Sequence, residues 1–399
     1  MVAVADLLAV LPSTAFGGAE KHTLDLCDAL AGAGVRASIL TSSECLRLAQ
    51  LRASAHGKIG EAIEWRDRET FETNVARQKQ GVERALRGRR FDCALVCAPW
   101  PHYAFGLQQA LSEQGLPHLS VAHLFPRPGT PEWRDLPETP GARSEPASAW
   151  AAVSWPIARR VERMFRLPPH SVPHIANGVD VAPLSADQRA RMRRRARARL
   201  GLAPDRRIAL FLGRLDAGKG ANLLPRLTEA LADLDALAIC AGDGPLRDAL
   251  AATEAAARGR LRLLGHVANV SEWLFAADLL LLPSRLEGHP LVFLEAAAHR
   301  CPVVATDAAL ECYGAEKHGL ALIAPTDDAA ALIAQARLAL TDAGSVAQRV
   351  ERAFATARRR DRAAMTGAYK SLLRKIVAGD RRLRAATCAM FDHEAGDAR

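Results

Sequence analysis

Short apolar runs recur along the chain, separated by longer segments that are apolar on one side only. In the first half they fall at 4–11, 37–41, 93–98, 119–122 and 150–154. In the second half they fall at 208–212, 236–240, 261–264, 279–282 and 303–306, with a weaker one at 320–323. Runs without internal alternation fit strands buried on both faces, which need helices to cover them. Helical spacing at 19–31 and 74–86 supplies such covers, so the chain reads as α/β, built from βα units around parallel sheets.

The 399 residues are enough for two domains. A Pro-rich stretch at 168–183 separates the halves, and from 328 to 384 the pattern is almost wholly helical. The expected division is 1–180, 181–360 and a helical tail over 361–399. Residues 130–146, rich in Pro, Gly and charge, read as a long surface loop.

Lys and Arg outnumber Asp and Glu by 53 to 44, a surplus that favours anionic partners without choosing among them. The eight cysteines form no CxxC and no zinc-finger spacing with histidine, so free thiols in a reducing, cytoplasmic setting are expected. The apolar N-terminal run is too short to span a membrane and carries Asp6, which makes it a first strand. No transmembrane segment is expected. GxSxG, GxxxxGK[ST] and HExxH are all absent, so neither a hydrolase elbow, a P-loop nor a dedicated metal site is expected.

Chemistry concentrates in two segments that each follow an apolar run. SRLEGHPLVFLEAAA, residues 284–298, places Glu287 and Glu295 either side of Gly288, His289, Pro290 and Leu291. Pro290 suits a first helical turn, whose free N–H groups hold phosphate oxygens. Glu295, farther inside, would accept hydrogen bonds from a vicinal diol such as a ribose, while Glu287 on the loop would stand near a bound sugar. The alternative is a pair of solvated surface carboxylates. FLGRLDAGKG, residues 211–220, sets Arg214 and Lys219 among Gly213, Gly218 and Gly220. Glycines admit an anion close to the backbone, and the two cations supply charge to a diphosphate. A basic surface turn is the plainer reading of that segment.

Weaker signals surround these. Gly17, Gly18, Ala19 and Glu20 open the first helix as a phosphate-approach loop or as a plain turn. In AGDGPLRDAL, residues 241–250, Asp243 is expected to cap a helix rather than face a base. Asn177–Asp180 reads as a structural turn between domains. His123 follows the run at 119–122 and is either a site residue or a structural one. The Arg-dense stretches 189–200 and 357–384 read as solvated helices whose Arg stems cover apolar surface, with Met192, Leu200 and Leu202 marking apolar faces. Contact with an anionic membrane surface is the alternative. Nucleic acid is not an expected partner, because aromatics are only 5% of the chain and do not alternate with the arginines as a stacking platform requires.

Taken together, these segments resemble the retaining GT-B glycosyltransferases of the group 1, family 4 type, most specifically over 211–307. The resemblance implies two Rossmann-like domains facing a central cleft, the first for the acceptor and the second for a nucleotide-sugar donor. It also implies a crossover helix within 362–375. By position, Arg214 and Lys219 resemble the pair that binds the donor diphosphate and helps it depart. Glu287 resembles the carboxylate that contacts the transferred sugar, and Glu295 the one that holds the ribose. Gly213, Gly288, His289, Pro290 and Leu291 belong to the donor loops. Gly17 and Gly18 resemble the N-terminal loop near donor phosphate and acceptor, and His123 a first-domain histidine near the sugar.

The implied activity is transfer of a hexose-type sugar from a UDP- or GDP-sugar, with retention and without metal or other cofactor. The implied acceptor is a glycan or lipid-linked intermediate of cell-surface polysaccharide or lipopolysaccharide assembly. A GT-B epimerase or hydrolase, and a non-catalytic GT-B-like scaffold, are the alternatives. Two departures bear on the donor pocket. The helix after Glu295 ends in His299-Arg300-Cys301 where the family has Gly, and Ala308-Ala309 stands where a Gly pair is usual, with Glu311 retained.

Overall fold

In a computed structural model, residues 3–48, 51, 53–130 and 148–379 are described. The chain divides into two compact units, Met1–Asn177 with Ala363–Arg399, and Gly178–Arg362.

The first unit holds a sheet of β1 (Asp6–Leu11), β2 (Arg36–Thr41), β3 (Gly57–Gly60), β4 (Cys93–Ala98), β5 (His118–Ala122) and β6 (Ser148–Ala152). Its order is β3-β2-β1-β4-β5-β6, with every pairing parallel. The second unit holds β7 (Arg207–Leu212), β8 (Ala236–Ala241), β9 (Leu261–Gly265), β10 (Leu279–Leu282), β11 (Val303–Thr306) and β12 (Leu322–Ala324). Its order, β12-β11-β10-β7-β8-β9, is the same arrangement, again parallel throughout. In each sheet the chain winds outward in opposite directions from a central pair, β1/β4 or β7/β10. Loops at the carboxyl ends of such a pair diverge, leaving the crevice where α/β proteins bind ligands.

Every apolar run read from the sequence is a strand or overlaps one. The strand β3 was not expected: GKIG buries only Ile59 and pairs with β2 alone at the sheet edge. The expected helices run over Gly18–Ala31 and Phe71–Leu86, the latter capped by Thr70, whose hydroxyl accepts the Thr73 N–H at 3.2 Å. The expected loop at 130–146 and the end of the basic tail lie, all but Thr130, outside the described residues.

Helix Arg362–Val377 buries Met365, Tyr369, Leu372, Leu373 and Ile376. These positions fall on one helical face and belong to the same apolar core as Leu7, Val96 and Leu119 of the first sheet. The second unit starts and ends at one place. A Cβ on Gly178 would lie 2.6 Å from the Asp361 carbonyl oxygen, Val179 N–H donates to Arg360 O at 2.8 Å, and Arg362 pairs with Asp180 at 2.8 Å.

The Arg-dense helix, Ala186–Arg199, departs from the surface reading. Arg197 is buried and donates to the carbonyls of Ala203, Pro204, Arg206 and Ala276 and to Asp278 Oδ2. Arg193 donates to Ala277 O at 2.6 Å and contacts Asp278. The two guanidinium groups thus take up carbonyls left open at the end of helix Val270–Ala276. Leu202 is buried as expected of an apolar face, but Met192 is exposed.

Candidate active site

The loop after β7 is shaped by close backbone packing. Gly242 has φ +139°, and a Cβ there would sit 1.9 Å from Gly213 O. At Gly220, with φ +73°, a Cβ would meet Pro283 O at 2.3 Å. Only glycine fits either place. The segment 213–220 is thereby pressed between the loops that follow β8 and β10.

That packing brings the sequence-predicted charges together. Lys219 Nζ donates to Glu287 Oε1 at 2.7 Å, and Ser284 Oγ donates to the same oxygen at 2.8 Å. Ser284 is buried, its carbonyl accepts from Thr306 Oγ1, and Arg285 N–H reaches Gly218 O at 2.8 Å. Glu287 is therefore held through one carboxylate oxygen. Arg214 is two-thirds exposed and contacts Asp216, whose other oxygen accepts the Lys219 backbone N–H at 2.8 Å. Arg214, Lys219 and Glu287 thus stand at the carboxyl ends of β7 and β10, the central pair of the second sheet.

Helix Leu291–Ala298 begins just beyond. Pro290 is its N-cap residue, one position before the first turn expected for it, with φ −68° and ψ 115°. Phe293 and Leu294 anchor the helix in the core, and Glu295 lies half-buried one turn in. His289 is buried, its ring 5.4 Å from that of Tyr313. Where a glycine was expected after this helix, Arg300 itself adopts φ +54°. A left-handed conformation costs a non-glycine residue about 1 kcal/mol. Here Arg300 also stacks on Phe354 at 3.5 Å and pairs with Glu351 at 3.2 Å, contacts that offset the cost. Ala308 and Ala309 are buried, so their methyl groups fill space that a glycine pair would leave open.

Gly17, Gly18 and His123 lie in the first unit. Gly17 caps helix Gly18–Ala31, and its N–H donates to Glu20 Oε2 at 2.8 Å while Ser13 Oγ contacts Glu20 Oε1. A Cβ on Gly18 would meet nothing within 4 Å, so the loop is open on that side. His123 follows β5 directly, its N–H bound to Ala98 O at 3.0 Å. Its ring lies edge-on to that of His22, which in turn packs against Tyr369 at 5.5 Å. Burial, with a smaller contribution from His22, holds His123 well below the usual imidazole range. It is therefore neutral near pH 7, and its Nε2 has no hydrogen-bond partner among the described residues.

The expected helix cap at Asp243 is not formed. Its carboxylate accepts the Gly244 N–H at 2.8 Å, and helix Arg247–Ala251 starts from Leu246 without a side-chain cap. Asp216 and Ser284 were missed although both lie inside the two motifs. Each is polar in a polar loop, and nothing in the spacing shows which neighbour it binds. His22 was missed, because nothing in the sequence of helix Gly18–Ala31 shows that its ring meets that of His123. Among the described residues no three His, Cys, Asp or Glu side chains gather as a metal site requires, and no helix is long and apolar enough to cross a membrane. Seven of the cysteines are free thiols.

Residues 16–183 match the family model Glycosyltransferase Family 4, and residues 206–342 match Glycosyl transferases group 1. The chain belongs to the group 1, family 4 glycosyltransferases, and its fold is GT-B. Among its relatives is TuaC of Bacillus subtilis, described as a putative teichuronic acid biosynthesis glycosyltransferase, 42% identical over 113 residues. Another is the lipopolysaccharide core biosynthesis mannosyltransferase LpsB of Rhizobium meliloti, 32% identical over 202 residues. The matched parts are 28% and 45% of this chain, and the chain spans 27% and 56% of those relatives. The crystal structure of HepE from Anabaena in complex with UDP and glucose superposes with a TM-score of 0.69 at 18% identity, over 92% of this chain and 98% of that one.

Proposed function

We propose that this protein is a retaining glycosyltransferase that moves a hexose-type sugar from a UDP- or GDP-sugar to a glycan or lipid-linked acceptor. The observation that carries the reading is the Lys219–Glu287 pair at the carboxyl ends of β7 and β10. An anionic donor would draw the Lys219 ammonium and the Arg214 guanidinium to its diphosphate. Both would then stabilise the negative charge that grows as the sugar–phosphate bond breaks, so catalysis is chiefly electrostatic and needs no metal. Released from Lys219, Glu287 is left to accept hydrogen bonds from the sugar. The N–H groups at the start of helix Leu291–Ala298 add positive potential, and Glu295 takes the ribose hydroxyls. Gly17, Gly18 and the neutral His123 serve the donor phosphate and the sugar.

The UDP and glucose held by HepE support a uridine donor, and the names of TuaC and LpsB support a role in cell-surface polysaccharide or lipopolysaccharide assembly. A cytoplasmic site of action, with peripheral contact to anionic membrane, fits such an acceptor. The test is binding and thermal shift against UDP, GDP, ADP and TDP and their common sugars. One nucleotide should stabilise the wild type and fail to stabilise Glu295→Ala. Equal stabilisation of both proteins, or of neither, rejects this donor site.

A further inference from the structure

Both cations of the loop after β7 depend on a single carboxylate, that of Asp216. One of its oxygens is in contact with Arg214 Nε. The other accepts the Lys219 backbone N–H at 2.8 Å, and the Asp216 carbonyl accepts the Ala221 N–H at 3.1 Å. The carboxylate is only 14% exposed, against 66% for the Arg214 side chain it holds.

Resting on the donor reading above, we propose that Asp216 is the positioning residue of this site, acting on its two cations in different ways. Through the backbone it fixes the turn from which Lys219 reaches Glu287. Through its charge it occupies Arg214 in place of the diphosphate until the donor arrives. An exposed arginine without such a partner samples many rotamers, and ordering it costs side-chain entropy. Held by Asp216, the guanidinium stands ready beside the glycine loop, and reaching the diphosphate requires only that it exchange one anion for another. The arrangement has a cost of the opposite sign. A carboxylate beside a diphosphate repels it, so Asp216 lowers ground-state affinity while it orders the site.

The two roles separate in two substitutions. Asp216→Asn keeps an oxygen for the Lys219 N–H and removes the charge, whereas Asp216→Ala removes both. UDP, GDP, ADP and TDP are titrated calorimetrically into wild type and both variants, with Tm recorded for each. Asp216→Asn should bind the preferred nucleotide about fivefold more tightly at unchanged Tm. Asp216→Ala should lose that gain and melt earlier, because the turn is released. An aspartate that only supports the fold would weaken binding and lower Tm together. Asn binding equal to or weaker than wild type therefore overturns the proposal while leaving the donor site standing. A wild type that binds none of the four overturns the donor reading itself.

Discussion

The imidazole rings of His22 and His123 meet edge to face with centroids 4.9 Å apart, and both are buried in the first unit. Two charged rings at that distance would repel, and neither could be solvated. Burial, with a smaller contribution from His22, holds His123 well below the usual imidazole range, which makes the fold sensitive to acid. His102 and His118 add to this, each pushed down to about 4 by burial.

These histidines set a pH window. In the unfolded chain they protonate near the ordinary imidazole value of 6.5, but in the fold His102 and His118 do so only near 4. The unfolded state therefore binds more protons as pH falls below 6.5, and stability present above that pH is lost. For His102 and His118 the loss between pH 7 and pH 4 is about 3 kcal/mol each. Urea unfolding at pH 7.5 and pH 5 should show the lower midpoint at pH 5. Equal midpoints would mean that these rings are not buried in the neutral form.

Tyr369 fixes the last described helix to the first core. Its ring is fully buried, and its hydroxyl has no hydrogen-bond partner among the described residues. Tyr369→Ala should cost about 3–5 kcal/mol through the cavity it leaves. Tyr369→Phe should be neutral or slightly stabilising, because it removes an unsatisfied buried group. Chemical denaturation of the two variants checks this, and a large loss in Tyr369→Phe would show that the hydroxyl has a partner after all.

Gly242 backs the loop that follows β7. Gly242→Ala would combine a positive φ with a backbone clash at Gly213 and should destabilise by at least about 3 kcal/mol. Gly18→Ala, whose Cβ faces open space, should leave Tm unchanged or raise it. Calorimetry on the pair compares them directly, and similar Tm values would contradict the packing described.

Glu287→Gln keeps the size of the side chain but loses its charge. In the proposed reaction turnover should fall about a hundredfold, with nucleoside diphosphate affinity changed much less. Initial rates over a donor concentration series separate the two effects. A variant with full turnover would remove Glu287 from the chemistry.

Strands buried on both faces were legible because their whole length is apolar, as in β4 and β10. The edge strand β3 was not: one apolar residue in a four-residue strand bounded by glycines has no period to read, and its place comes from pairing with β2. Charge misled at Arg193 and Arg197, since a run of arginines looks like solvated surface until the open carbonyls at Ala276 and Ala277 are in view. Spacing and strand context singled out Arg214, Lys219, Glu287 and Glu295 in two motifs, and the structure joins Lys219 to Glu287. Asp216 and Ser284 sat in the same motifs unnoticed, because their part lies in which oxygen meets which donor. The meeting of His22 and His123 joins distant stretches of chain, and no local pattern encodes it.

The paired crossing at Gly178 and Arg362 has a consequence for how the molecule is made. The first unit takes its closing helix, with Tyr369, from sequence that leaves the ribosome after all of the second unit. The second unit is contiguous and draws on no later part of the chain. During synthesis the body begun second can therefore be completed first, while the body begun first waits, one wall of its core open, for helix Arg362–Val377 to arrive.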